Sequence, residues 1–342
     1  MDRLTWIHAD ENLREINVLD LIKSADIQVK TAPGAKLIDN SFSIVLPENE
    51  WQKNPVNAGH YVYAPGTEWG GPVSLVRHNT ADGTITLEGP TWRGLLYQRR
   101  IYPPAGQGYL TFSNVDANTL ISLIVGNSFG SLFTVTSTAF GVLVSASYRY
   151  QSYADGLQDT LRDYGLRLSV VYDNARQMVV LSAQNTNDLT NDIEVSQDYG
   201  LQFISSIGNV EYANHCLALG SGELAEREVL NVYVTENGYT VSQPPTLATE
   251  DIRTILLDYP NAESTDALLK SAIKTLQEHA AVNGLTVGDL QDINAEMGDI
   301  VSVRDRVTGL VGTAEIGNKI LTISNGTTKI SMQIENVIVG GA

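Results

Sequence analysis

Apolar and polar residues alternate in short runs along the first hundred residues: Ile27 and Val29; Phe42, Ile44 and Leu46; Val73 and Leu75; Ile85 and Leu87. Alternation is the period of a strand with one face buried. Turn residues separate the runs at Pro33-Gly34, Asp39-Asn40 and Asp82-Gly83. An Asp-Gly between alternating runs predicts a hairpin. Several short strands so spaced predict a small barrel or sandwich. Pro103-Pro104, followed by Gly106 and Gly108, punctuates its end.

The period changes after residue 114. Asp116 is placed to cap a short helix through Leu120, Leu123 and Ile124, stopped by Gly126-Asn127. Ser152 is an N-cap with Asp155 three residues on, and Ala154, Leu157, Leu161 and Tyr164 mark one helical face ending at Gly165. LRLSVVYD, a turn at Asn174-Ala175 and QMVVLSA then predict a hairpin. Helix and hairpin together make a small α/β unit.

Residues 200–242 return to strand pattern. Between 249 and 283 the spacing predicts helix, starting at Thr249 with Glu250-Asp251. Leu269, Ile273, Leu276 and Ala280 form its apolar stripe, and Asn283-Gly284 ends it. The last hairpin, KILTISNGTTKISMQI, turns on Asn325-Gly326.

One phrase occurs twice. GHYVYAPGTEWGGPV (59–73) and GDIVSVRDRVTGLVG (298–312) each start on glycine, continue as an apolar alternation and carry a glycine eleven positions on, Gly70 and Gly309. A turn glycine follows each, Gly83 and Gly326, 24 residues after Gly59 and 28 after Gly298. The common rhythm is strand, loop, strand, turn, strand. It predicts an internal duplication in which a second β domain, strands 200–242 and 290–338, is interrupted by a helical excursion.

Composition narrows the function classes. Of 342 residues, 43% are hydrophobic, enough for two or three cores, and 18% are charged, which suits a protein that buries surface in an assembly. A net charge of −17 opposes non-specific binding to nucleic acid, and the only dense basic spots are Arg99-Arg100 and Arg304/Arg306. A single cysteine, Cys216, excludes an intrachain disulfide and a cysteine metal cluster. The N-terminal stretch has no apolar core of signal-peptide length, and no apolar run reaches membrane-spanning length.

Candidate chemistry is sparse. His215 and Cys216 are adjacent, but in a strand neighbours point to opposite faces, so they should not form a dyad. Ser271 and Lys274 have serine–lysine acylase spacing without the companion motifs. NTNDLTND (185–192) is rich in oxygen ligands but lacks the turn glycine and closing glutamate of a calcium loop. Among 39 Asp and Glu no pair has a distinctive apolar setting for glycosidase work. No His-Glu-x-x-His, Walker loop or Gly-x-Ser-x-Gly occurs. Catalytic, cofactor-binding and metal residues are therefore each expected to be none. Trp51, Trp69 and Trp92 in the first β segment leave a carbohydrate-binding module as an alternative, and an endopeptidase or peptidoglycan hydrolase is the enzymatic one.

SFSIVLPENE (41–50), AGHYVYAPGTEWGGPVSLV (58–76), DGTITLEGPTWRGLLYQRRI (82–101) and the late GDIVSVRDRVTGLVG resemble, in order, the siphophage tail hub or tail-tip family, related in fold to the baseplate hub of contractile tails. Gly89, Gly94, Leu95, Leu96 and Arg99 fill that family's Gly-x-x-x-x-Gly-Leu-Leu-x-x-Arg ending. The resemblance implies a mixed β and α/β chain: a tube-like barrel at 1–103, an α/β domain at 104–198, a second barrel at 199–245 and 290–342, and a helical insertion at 246–289. It implies a non-enzymatic homotrimer at the virion tail tip, made in the host cytoplasm. Two barrels per subunit would adapt a sixfold tube to a threefold tip and form part of the DNA-ejection channel. Its partners would be the distal tail protein, tail tube, tape-measure and receptor-binding or tip proteins, with phage DNA only in transit. The copies match in rhythm more than in residues: His60 stands in the first where Asp299 stands in the second. Some family members extend into a hydrolase or receptor-binding region; ending at VIVGGA, this chain is expected to be the hub core.

Overall fold

Three of the four alternating runs of the first hundred residues form strands with their apolar members buried; in the fourth, Val73 is buried ahead of strand Leu75–Asn79, and Leu75 is exposed. In Ser24–Lys30 and Ser41–Pro47 burial alternates residue by residue, placing Ala25, Ile27, Val29, Phe42, Ile44 and Leu46 inside. The computed structural model describes residues 4–32, 34–126, 128–199, 202–206, 211–235, 238–262, 264–279, 284–291, 293–324 and 326–339. Pro33, Asn127, Ala280, Asn283 and Asn325, each used in a turn or helix reading, lie outside them.

The chain divides into two compact units. One comprises Met1–Leu201, Val287–Val303 and Thr313–Ile338; the other comprises Gln202–Thr286, Arg304–Gly312 and Val339–Ala342.

In the first unit a nine-stranded sheet runs in the order Glu194–Val195, Ile300–Arg304, Val311–Ser324, Ser24–Lys30, Ser41–Pro47, Thr84–Pro90, Leu75–Asn79. Thr327–Val339 also pairs with Val311–Ser324, and Leu290–Gln291 pairs with Thr327–Val339. Strands from the opening and closing segments thus share one sheet, joined where Ala25, Ile27 and Val29 face Ile323, Leu321 and Lys319 in antiparallel register. A four-stranded sheet has the order Glu15–Val18, Ile7–Ala9, Tyr61–Tyr63, Gly70–Pro72. Among the described residues no sheet closes on itself. The architecture is mixed β with helices.

Five α-helices are described: α1 (Glu48–Lys53), α2 (Trp92–Tyr97), α3 (Ala117–Val125), α4 (Tyr153–Arg162) and α5 (Thr265–Glu278). Two start as their sequences predict. The Asp116 carboxylate accepts from the N–H groups of Asn118 and Thr119 at α3, and Ser152 accepts from Asp155 N–H at α4. Gly126 and Gly165, both at positive φ, follow their ends. The buried face of α3 is Leu120, Ile121 and Ile124; Leu123 points outward. On α4 Ala154, Leu157 and Leu161 are buried, while Tyr164 lies past the helix end and is exposed. The hairpin Leu166–Asp173 and Met178–Asn185 pairs in unbroken register beneath them. Arg93 of α2, itself buried, donates to Gln158 of α4 at 2.9 Å and to the Leu168 carbonyl at 3.0 Å.

The glycines of the Gly-Leu-Leu ending have a steric cause. Thr91 caps α2 by accepting from Gly94 N–H, and both its N–H and its hydroxyl donate to the Asn40 carbonyl. This seats α2 so closely that a β-carbon on Gly94 would collide with that carbonyl, and one on Gly89 with the Pro72 carbonyl.

The second unit corrects one reading. Helix does not begin at Thr249: a single 3-10 turn, Thr249–Asp251, leads into strand Thr254–Asp258, which lies parallel to His215–Leu219. Ile255 and Leu257 alternate with exposed residues there, and Tyr259-Pro260 ends the run. α5 starts later, on a Ser264 cap. Its buried line is Leu268, Ala272 and Leu276, with Leu269 and Ile273 beside it, against Cys216, Ala218 and Val232 of the sheet.

Gly94→Ala should lower stability by about 1–3 kcal/mol through overpacking against Asn40. Denaturant unfolding should show a lower midpoint at unchanged slope.

Candidate functional site

The repeated phrase folds into one recurring object. Each copy opens with a four-residue turn, His60 N–H bonding the Asn57 carbonyl in the first and Asp299 N–H bonding the Glu296 carbonyl in the second. The third residue of each turn is the leading glycine, at φ 93° for Gly59 and 88° for Gly298. That backbone is open to glycine at no steric cost. A reciprocal pair of backbone bonds then ties the turn to the returning strand. Gly59 N–H donates to the Val73 carbonyl and Val73 N–H to the His60 carbonyl; Gly298 N–H donates to the Ile316 carbonyl and Ile316 N–H to the Asp299 carbonyl.

The loops close alike as well. Ala64 N–H bonds the Trp69 carbonyl at 2.9 Å, and Asp305 N–H bonds the Leu310 carbonyl at 2.9 Å. The loop has the same length in both copies, and each flanking strand of the second is two residues longer. Those four extra residues account for the 28-residue spacing from Gly298 to Gly326 against 24 from Gly59 to Gly83. The frame also corrects one equivalence: Trp69 corresponds to Leu310, so Gly70 matches Val311 rather than Gly309. In the first copy the returning strand breaks at Pro72 into Gly70–Pro72 and Leu75–Asn79, which belong to different sheets; in the second it is one strand, Val311–Ser324.

The residue after each leading glycine is a polar anchor. Asp299 is buried. Its carboxylate accepts from Arg167 at 3.0 Å, Asn187 N–H at 2.9 Å, Asn187 Nδ2 at 3.1 Å and Glu296 N–H at 2.8 Å. His60 Nδ1 lies 2.8 Å from Nε2 of the buried His8, whose Nδ1 lies 2.8 Å from Asn17 Oδ1. Asn17 Nδ2 donates to the Val18 carbonyl, which orients the amide so that His8 Nδ1–H donates and His8 Nε2 accepts from His60. Burial pushes the His8 pKa down, against the Asn17 bond, which raises it. His8 is held neutral.

The loop 64–72 is pinned within its own chain. Gly66 N–H donates to the Tyr172 carbonyl and Tyr172 N–H to the Thr67 carbonyl. Beside it Tyr63, Trp92 and Tyr172 pack ring on ring at centroid distances of 4.1 and 5.4 Å.

The other candidates are absorbed into the fold. His215 lies on the sheet face away from Cys216, bonds Thr254 at 2.9 Å and Asn231 at 3.0 Å, and stacks on Tyr233. Cys216 faces α5, and burial pushes its thiol up, away from the reactive thiolate. Lys274 is exposed and pairs with Glu278, one turn on, while Ser271 offers its carbonyl to the Thr275 hydroxyl. In NTNDLTND, Asp188 accepts from Thr190 N–H and hydroxyl, and Asn187 is spent on Asp299. The tryptophans do not assemble: Trp92 is buried in one core, Trp69 in another, and Trp51 packs at the edge of the second. Among the described residues no group of three or more His, Cys, Asp or Glu is placed to hold a metal ion, and no helix is long and apolar enough to cross a membrane.

Sequence reasoning missed His8 as the partner of His60 and Asn17 as the partner of His8, and Arg167 and Asn187 as partners of Asp299. Two outcomes follow from the anchors. Asp299→Ala leaves Arg167, two backbone N–H groups and the Asn187 side-chain amide short of an acceptor and should cost about 2–4 kcal/mol of unfolding free energy. His8 is refused a proton when folded and accepts one when unfolded, so its contribution is complete above its ordinary value of 6.5 and is lost as pH falls below it. Stability should therefore drop as pH falls below about 6.5, by no more than about 1.4 kcal/mol per unit, and His8→Gln should flatten that slope in urea titrations.

Neither a protein-family model nor a curated protein sequence matches the chain. Solved structures do. The prophage MuSo2 43 kDa tail protein from Shewanella oneidensis aligns over 97% of this chain and 98% of its own, with a TM-score of 0.55 at 10% identity. A tail protein from Neisseria meningitidis aligns over 97% and 96%, at TM-score 0.49 and 13% identity. A prophage tail protein from Listeria monocytogenes aligns over 97% and 94%, at TM-score 0.46 and 14% identity. The likeness to the MuSo2 protein spans both chains nearly end to end, and with it the chain has the fold of a phage tail protein.

Proposed function

We propose that this chain is a structural hub at the distal end of a phage tail tube, a homotrimer that adapts the sixfold tube to a threefold tip and lines part of the DNA-ejection channel. The observation that carries it is the duplicated hairpin, with the same turn, the same reciprocal backbone bonds and the same loop length in both copies. A trimer presents six copies of that hairpin, the number a sixfold tube requires. The tail-protein fold supports the setting. In this reading each copy belongs to a tube-like barrel that neighbouring subunits complete. The segments 104–198 and 246–289 decorate them.

The role is non-enzymatic. In its favour, each candidate group read from the sequence is spent on packing, turns or a solvated helix face. The partners are the tail-tube, distal tail, tape-measure and receptor-binding or tip proteins. The net charge of −17 suits a channel wall from which DNA phosphates are repelled rather than held.

Light scattering of the purified chain should give three times 37.1 kDa. A chain that stays monomeric and forms no threefold cap on tail-tube ends in electron micrographs would overturn the reading.

A further inference from the structure

The chain is strongly acidic, yet one surface of the first unit is basic and aromatic. Residues 99–102 run antiparallel to 150–153: Tyr153 N–H bonds the Arg99 carbonyl, Arg100 bridges Ser152, and Ile101 and the 150–151 segment exchange backbone bonds. This sets Tyr102 beside Tyr150, rings 5.8 Å apart edge to face, with Arg149 stacked over both Tyr150 and Tyr109. Tyr102, Tyr109 and Tyr150 are 69%, 52% and 54% exposed. Arg99 stacks on Phe129, and Arg99, Arg100 and Arg149 are all exposed. Tyr150 is held at φ 61°, a backbone state that costs a bulky side chain energy. The fold thus spends stability to hold this ring outward. Tyrosine and arginine are the residues that carry binding energy at protein interfaces.

A surface of the opposite kind lies on the same unit. Glu15–Val18 is the outermost strand of the four-stranded sheet, and among the described residues one of its backbone edges has no strand partner. It and the turn after it expose Ile16 (44%), Val18 (44%) and Leu21 (50%). Glu11, Glu15 and Asp20 are exposed around them, with Asp10 alongside, against Arg14 and Lys23.

We propose that the tyrosine–arginine surface of one copy docks on the acidic, apolar edge strand of the next. A cyclic trimer requires this kind of contact, because each of its interfaces joins two different surfaces. Arginines meet carboxylates, tyrosine rings cover Ile16 and Val18, and the open strand edge is removed from solvent. The inference rests on the trimeric reading above and names the surfaces that make it.

The test is sedimentation equilibrium of the full chain over a concentration series. Arg100→Glu with Arg149→Glu should weaken self-association by about tenfold or more, and Glu11→Arg with Glu15→Arg should do the same. All four changes in one chain should restore it, since every interface then carries both reversals. Tyr150→Gly is a second probe: it relieves the backbone strain, so the unfolding midpoint should not fall, while association weakens about tenfold. A trimer unaffected by either reversal or by Tyr150→Gly, or one the combined chain does not restore, overturns the docking and leaves the hub reading standing. A wild-type chain that is monomeric throughout overturns the docking; the hub reading then falls only if no threefold cap forms on tail-tube ends.

Discussion

Two backbone bonds hold the base of each duplicated hairpin: the glycine N–H donates to a carbonyl on the returning strand, and that strand residue's N–H donates to the carbonyl of the residue after the glycine. Everything local follows from that pair of bonds. The turn before it needs positive φ at its third residue, which is why glycine leads both copies. The strand after it is held at a fixed register, which decides which residues face the core. The residue between turn and strand has its backbone committed on both sides, so its side chain is free to act as an anchor. Asp299 and His60 solve that task with different chemistry, a carboxylate in one copy and a chain of two imidazoles in the other.

Around the first hairpin, close approach does the work that volume does elsewhere. α2 rests on the Asn40 carbonyl through Thr91, and Asn40 in turn bonds the backbone of Lys30 and Lys36 with its side-chain amide. A single buried asparagine therefore ties a helix, a strand and a turn together. From the far side of α2, Arg93 reaches α4 and the strand after it, so the opening β segment and the α/β segment share one core containing Tyr63, Trp92, Leu120, Leu157 and Tyr172. Leaving the two Arg93 Nη donors unmatched would be expensive in that setting, which makes their acceptors as much a part of the fold as the apolar contacts.

Local chemistry was readable in the sequence where it decides the outcome locally. Asp116, Ser152, Gly126 and Gly165 bound their helices where side-chain caps and left-handed glycines require. Strand alternation in Ser24–Lys30, Ser41–Pro47 and Leu166–Asp173 follows residue by residue. The segment from Thr249 misled because a threonine followed by two acids is a good helix start only if the next turn continues; Ile255 and Leu257 instead found a parallel partner far away in sequence, in Cys216 and Leu257's neighbour Ala218. Gly309 misled because counting along the chain cannot see that two residues were added to each strand. The partners of His60 and Asp299 lie 52 and 132 or 112 residues away, and no local pattern announces them. Likewise Arg99-Arg100 reads as an isolated basic pair until a distant turn brings Arg149 and Tyr150 beside it.

The equal lengthening of the two strands has a consequence for how such a protein can change. A strand advances about 3.4 Å per residue, so two more residues on each side carry the loop about 7 Å further from its base. Because side chains alternate with a period of two, that extension leaves every inner residue inner and every outer residue outer. An insertion of one would turn the hairpin inside out. Loop position is thus adjustable in even steps only, a ratchet whose tooth is the pleat, and the two copies stand one tooth apart.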